Sequence, residues 1–121
     1  MTENRTILGL TEKITVVGPN GSEEVVARID SGATASSIDL DLSNKLGLGP
    51  ITRTKIVKSA SGVKRRPIII VKGKIGSQEI EGEFTLADRN HMTYPVLIGQ
   101  NVLKKGNFLI DPNKEVNNEN K

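Results

Sequence analysis

Arg28-Ile29-Asp30-Ser31-Gly32-Ala33-Thr34-Ala35-Ser36-Ser37-Ile38 is the stretch on which the reading of this chain turns. Val25, Val26, Ala27 and Ile29 form an apolar run that ends at Asp30. The residues after it, Ser31, Gly32 and Ala33, are small turn formers. This pattern aims one carboxylate out of a tight turn at a strand end. Asp followed by Ser or Thr, then Gly, then Ala or Ser arises by chance in about one chain of this length in a hundred at average composition. The turn therefore needs support from elsewhere in the sequence.

Outward from the turn, the chain patterns as strands. Residues 11–17 alternate and end in the turn cluster Gly18-Pro19-Asn20-Gly21-Ser22, and the apolar pattern resumes over 23–29, which predicts a hairpin. Residues 35–38 continue as a short strand. One helix is expected over 41–49, with Asp41 as N-cap, Leu42 and Leu46 on one face and Gly47 as the stop. Residues 51–58 and 64–75 are strand-like and flank Ser59-Ala60-Ser61-Gly62, which predicts a projecting hairpin with a polar tip. Residues 78–87 give the clearest period-2 signal. Ile80, Gly82, Phe84 and Leu86 alternate with Glu79, Glu81, Glu83 and Thr85, so one face is expected buried and the other wet. A loop over 88–92, a buried strand over 94–98, a helical turn or two over 100–105 and a last strand over 107–110 complete the domain. Residues 1–111 read as one domain and 112–121 as a polar, frayed tail.

Composition agrees with an all-β domain. The chain has 121 residues, near the mode for a single domain. It carries 13 Ile and 10 Val against 10 Leu, and β-branched side chains suit a pleated, half-buried surface. Phe84, Phe108 and Tyr94 are the whole aromatic complement, so there is no set of stacking platforms for single-stranded nucleic acid. The formal charge of +3 is mild, and its one cluster, Lys64-Arg65-Arg66, reads first as a solvated strand end. No cysteine is present, which excludes disulfides and thiolate metal sites. No segment has the length and apolarity of a membrane span or a signal peptide, so a cytoplasmic protein without membrane or nucleic-acid partners is expected.

The Asp30 turn resembles that of the aspartic peptidases, and the resemblance implies a chemistry with two carboxylates near enough to share one proton, because like charges at that range do not both ionise. One acts as general base on water while the other, protonated, donates to the scissile carbonyl. The chain has a single such turn. A two-fold homodimer supplies the second acid by bringing each Asp30 against its copy. On this reading Ser31 hydrogen-bonds across the interface, Gly32 leaves its N–H to hold the carboxylate, and Ala33 leaves room for a peptide substrate. The tip Ser59, Ala60, Ser61 and Gly62 takes the position of a flap that covers the substrate.

The order of these parts, with Tyr94-Pro95-Val96-Leu97-Ile98-Gly99-Gln100-Asn101-Val102-Leu103 closing the domain, resembles a retroviral-type aspartic peptidase lobe, a retropepsin-like closed β-barrel of the acid protease fold. Residues 25–112 further resemble a retropepsin-like family catalogued as ATP-dependent zinc proteases and associated with ribosomal-protein glutamate ligases. The matching features are the Ile-Asp-Ser-Gly-Ala turn at 29–33, Arg66-Pro67-Ile68, the Thr85-Leu86 to Gly99 segment and the closing Phe108-Leu109-Ile110-Asp111-Pro112. The resemblance implies an aspartic-type endopeptidase, a homodimer, and for some members trimming of glutamate-rich tails. The family pattern often carries arginines where this chain has Thr34 and Gln100, and a histidine near Asp39. Arg28, Arg65, Arg66 and Arg89 are the cations that could compensate, with Thr34 beside them as a candidate substrate contact. An Asp88–Arg89 surface pair is the plainer account of Arg89. His91 is the single histidine, no His-Glu-x-x-His occurs and no Gly-rich phosphate loop is present, so no metal and no cofactor are expected. Two other readings stay open: a non-catalytic peptide-binding or dimerisation module, and a metal-dependent hydrolase using Asp30, Asp39, Asp41 and His91.

Overall fold

The structure, a computed structural model, describes residues 5–116; the side chain of Ser59 lies outside that description. In chain order the elements are β1 (Thr6–Leu8), β2 (Thr11–Gly18), β3 (Gly21–Ile29), β4 (Ser36–Asp39), α1 (Leu40–Leu46), β5 (Arg53–Ser59), β6 (Gly62–Ile75), β7 (Gln78–Ala87), β8 (Val96–Ile98), α2 (Gln100–Leu103) and β9 (Phe108–Ile110). Six strands close into a barrel in the order β2-β3-β8-β4-β7-β6, and β2 returns to β6 through Ile14–Ile75 and Val16–Gly73. The expected β class and the 11–29 hairpin are present, and the strand at 78–87 alternates as expected as far as Phe84; Thr85, expected on the wet face, is instead buried where β7 pairs with β4 and donates to Ser36 O at 3.3 Å. The hairpin is in register from Thr11–Arg28 to Gly18–Gly21.

Closure explains which side chains are buried. Ile14, Val16, Ala27, Ile29, Ile69, Val71, Ile75, Phe84, Val96 and Ile98 point inward, and Val102 of α2 and Leu42 and Leu46 of α1 seal the ends. Phe84 is the largest of them and only 1% exposed, so an aliphatic barrel is organised round one aromatic ring. The glutamates at 79, 81 and 83 line the wet face of β7, as its period-2 pattern requires.

The N-cap of helix α1 lies two residues earlier than expected. Asp39, not Asp41, caps it: Leu42 N–H donates to Asp39 Oδ2 at 3.3 Å, which leaves Asp41 in the first turn beside the positive end of the helix. Asp39 wins because it is the last residue of β4 and its other oxygen is fixed by Arg89 N–H at 2.8 Å. Gly47 ends the helix as expected, in the left-handed region at φ 72°.

The small β1–β9 sheet has no counterpart in the sequence reading of residues 6–8. Its strands are parallel, Thr6 to Leu8 against Phe108 to Ile110, and so join the two ends of the domain. Of the stretch expected to fray, residues 117–121 lie outside the described residues. Residues 111–114 instead make a turn, closed by Lys114 N–H to Asp111 O at 3.0 Å. The Lys114 ammonium donates to Ile7 O at 2.9 Å and pairs with Glu12 at 2.7 Å. Among the described residues no helix is long and apolar enough to cross a membrane.

Candidate active site

Strand order places the turn. β8 lies between β3 and β4, parallel to the first and antiparallel to the second. The chain must therefore leave β3 at Ile29, pass round the end of β8 and re-enter the sheet at Ser36. Residues 30–35 are that passage, and Asp30 is its first residue. Its N–H donates to Ile98 O at 2.8 Å, which extends the β3–β8 ladder up to the carboxylate-bearing residue.

The passage is tied down from beneath by the start of α2. Gln100 N–H donates to Ala33 O at 2.8 Å and Asn101 N–H to Thr34 O at 3.2 Å. Gly99 makes this approach possible, since a Cβ there would overlap the carbonyl of Ala35. Ser36 and Asn101 add a buried polar brace: Ser36 Oγ to Asn101 Oδ1 is 2.7 Å, Gly99 N–H donates to Ser36 Oγ at 2.9 Å, and Asn101 Nδ2 donates to Glu83 O at 2.9 Å. Every one of these groups is satisfied, so the brace fixes one geometry rather than several.

Within this frame Asp30 is half-buried, while Ser31, Gly32 and Thr34 are exposed. Gly32 N–H donates to Asp30 Oδ1 at 3.0 Å, and Ala33 N–H closes the turn on Asp30 O at 3.1 Å. Gln100 Nε2 donates to Ser31 O at 2.8 Å. The turn thus presents one fixed acid per chain on an exposed surface.

Beside it runs a groove of about 640 Å³ between β4, the end of β7 and the underside of the β5–β6 hairpin. Its walls include Lys55, Lys64, Arg65, Arg66, Arg89 and His91, against the single acid Asp88. The hairpin register explains the cluster: Lys55 is opposite Arg66 and Val57 opposite Lys64, so these side chains share the face that looks into the groove. Ala35, Lys55 and Thr85 also line a smaller cavity of about 210 Å³ that reaches Asn101 and Thr34, the residue next to the turn, making a trough that ends beside the turn without being lined by Asp30 itself. At that end Arg53 grips Glu83 with two bonds, Nη2 to Oε1 at 2.7 Å and Nε to Oε2 at 3.3 Å. The hydrogen bond from Arg53 holds the Glu83 carboxyl below its usual range, and the same bond raises Arg53.

The residues singled out from sequence fall into distinct places. Asp30, Ser31, Gly32 and Ala33 form the turn, and Thr34 lines the trough. Arg28 is exposed on β3 outside the groove. Arg89 lines the groove, but two of its donors point inward: Nε to Tyr94 O and Nη1 to Ser37 Oγ, each at 2.9 Å. Burial pushes its pKa down, and the Asp39 charge partly offsets this. Asp88 accepts instead from Asn90 N–H at 3.1 Å. The hairpin tip is a two-residue turn, Ala60-Ser61, with Ser59 opposite Gly62. Asp39 has both oxygens occupied by backbone N–H groups, and among the described residues no three His, Cys, Asp or Glu side chains gather as a metal site. The sequence reading missed the Ser36–Asn101 brace, the Arg53–Glu83 pair and Lys55. Only the last carried a signal, since in a hairpin about Ala60-Ser61 Lys55 must face Arg66.

The likenesses of this chain to known proteins agree with that geometry. The model of the RimB-like family, described as retropepsin-like aspartic endopeptidase RimB, matches residues 41–121, which include the hairpin and the Gly99 segment and begin after the Asp30 turn. No curated protein matches the chain. Among solved structures, Lpg0085, a protein of unknown function from Legionella pneumophila subsp. pneumophila str. Philadelphia 1, superposes with a TM-score of 0.65 at 20% identity over 93% of this chain and 98% of that one. The simian foamy virus (mac) protease superposes with a TM-score of 0.55 at 20% identity, covering 72% of this chain and 84% of the viral one. A foamy viral protease-reverse transcriptase gives 0.54 at 16% identity, over 77% of this chain and 11% of that much longer one. The fold is that of a retropepsin-like lobe, and the chain belongs to the RimB-like family of retropepsin-like aspartic endopeptidases.

Proposed function

We propose that this protein is an aspartic endopeptidase that works as a homodimer, with Asp30 and its copy as the catalytic dyad, and that it cuts acidic, glutamate-rich peptide segments. The observation that carries the reading is the Asp30 turn. A lone carboxylate, braced by Ile98, Gln100 and Asn101 and held by Gly32 N–H, is presented on an exposed surface with no second acid of its own turn. A two-fold axis through this turn completes the pair and places two trough ends in line. The pair shares one proton. The ionised member takes a proton from water as the water oxygen attacks the scissile carbonyl carbon, and the protonated member donates to the carbonyl oxygen. Collapse of the resulting gem-diol breaks the C–N bond, and the departing nitrogen takes up a proton from the dyad.

The basic groove supports the substrate class. Lys55, Lys64 and Arg66 face one trough, and Arg65 and Arg89 add to its potential. A row of carboxylates gains from that field and a basic peptide does not. Thr34 contacts substrate near the scissile bond, and Arg28 reaches an end of a longer chain. The hairpin with Ser59, Ala60, Ser61 and Gly62 at its tip closes over the peptide and excludes water. Residues 1–111 are the peptidase domain in this account, and 112–121 take no part in chemistry.

The test is cleavage of a glutamate-rich peptide and a neutral one across pH, with solution mass measured alongside. Asp30→Asn is expected to abolish cleavage and leave the dimer intact. Full activity in that variant, or a strictly monomeric active protein, ends the proposal. Binding of the acidic peptide with no turnover would instead support a peptide-binding module.

A further inference from the structure

We infer that Gln100 is a positioning residue for the Asp30 carboxylate, acting through the peptide group between Ser31 and Gly32, and that it sets the pH range over which the dyad works. This rests on the dyad proposed above. The geometry is a relay across one amide plane. Gln100 Nε2 donates to Ser31 O at 2.8 Å, and the N–H of that same peptide unit, Gly32 N–H, donates to Asp30 Oδ1 at 3.0 Å. A donor on the carbonyl of an amide makes its N–H a stronger donor, since hydrogen bonds in series polarise one another. A stronger N–H favours the ionised carboxylate over the protonated one.

The side chain is also the one adjustable part of the brace. The backbone N–H of Gln100 holds Ala33 O whatever the side chain, and Ser36, Gly99 and Asn101 do not depend on it. Substitution at 100 therefore releases the Ser31–Gly32 peptide without dismantling the turn. The charges facing the Asp30 turn from β5 and β7 are Lys55 and the Arg53–Glu83 pair, which stand at the trough end beside Thr34. β8 and α2 have no ionisable side chain, residues 31–35 have none, and β3 contributes Arg28. In the proposed dimer the copy of Asp30 adds a further charge. The relay differs from these charges in being neutral and in reaching Asp30 through a hydrogen-bonded peptide group.

The experiment compares wild type, Gln100→Met and Gln100→Arg. Met keeps length and loses the donor, whereas Arg restores one. For Gln100→Met the whole pH–rate profile is expected to move to higher pH by about half a unit, the scale of one polarised hydrogen bond. Rate then falls about threefold on the acid limb and rises on the alkaline limb. Gln100→Arg returns the profile to wild type or beyond it. A purely structural role lowers the profile without displacing it, and that result overturns the inference. The Gly32 amide proton gives a second readout that needs no turnover: in Gln100→Met its NMR resonance moves upfield and its exchange quickens. An inactive wild type sinks the dyad, while an unmoved Gly32 resonance sinks the relay, so the two failures are distinguishable.

Discussion

The turn Asp30-Ser31-Gly32-Ala33 and the turn Ser59-Ala60-Ser61-Gly62 are near twins in composition, both small, polar and glycine-bearing, yet the fold treats them in opposite ways. The first is held by Ile98, Gln100 and Asn101, and its glycine N–H is aimed at a carboxylate. The second ends a two-stranded arm. A Cβ on Gly62 would meet nothing within 4 Å, and the adjacent Val63 is 63% exposed. β6 shows the same division within one strand. Its first half pairs only with β5, while Ile68 to Ile75 are paired to β7 and, at the far end, to β2. Rigidity is a property of what surrounds a turn, and composition does not set it. The proposed function calls for both kinds: a fixed floor for chemistry and an arm able to admit a substrate.

The largest effect should come from the floor. Asp30→Asn is expected to reduce kcat by at least about 10³-fold, within the range for removing a general acid or base, with thermal stability unchanged. Preserved turnover would show that the fixed turn is not where chemistry happens. Next, Phe84→Ala removes the ring that fills the barrel under both β4 and β7, at a cost of about 3–5 kcal/mol in a denaturant titration. Val63→Ala on the arm should stay within about 0.5 kcal/mol in the same titration. Equal losses at the two sites would erase the distinction between floor and arm.

Charge reversal sharpens the comparison from the arm's side. Lys64→Glu or Lys55→Glu should raise KM for a glutamate-rich peptide about tenfold, leave a neutral peptide within twofold and lose its effect in high salt. A KM unchanged for both peptides would mean that the groove does not carry substrate. The smallest expected effect lies where arm meets floor. Arg53 holds the Glu83 carboxyl below its usual range, so this pair's contribution is present above the unfolded-state value and is lost as pH falls through the folded one. Wild type and Glu83→Gln should therefore differ in stability at neutral pH and converge under acid. A constant gap across pH would place the loss elsewhere than in ionisation.

Much of this was legible in the chain, for identifiable reasons. Hairpins announce themselves because their contacts are local: β2–β3 and β5–β6 follow from alternation on either side of a turn cluster. The period-2 glutamates of β7 gave its register with respect to solvent. Helix α1 was located by its leucines and Gly47, but its cap was misassigned, because Asp39 and Asp41 are equivalent locally and only Arg89, fifty residues on, separates them. The parallel pairs β1–β9, β3–β8 and β4–β7 left no local trace. Neither did the inward commitment of Arg89, which a surface reading paired with Asp88.

Sequence alone determined that the chain is an aliphatic β domain, that one acid stands on a small-residue turn, and that a polar hairpin follows it, because alternation, turn chemistry and composition act over a few residues. Tertiary structure decided what those parts are to one another. Only when β8 slides between β3 and β4 does Gly99 come under Ala35, and only then does Gln100 reach Ser31 and do the lysines of the hairpin face the trough. Contacts between residues some seventy positions apart depend on closure of the whole barrel, and no short window of sequence contains that information.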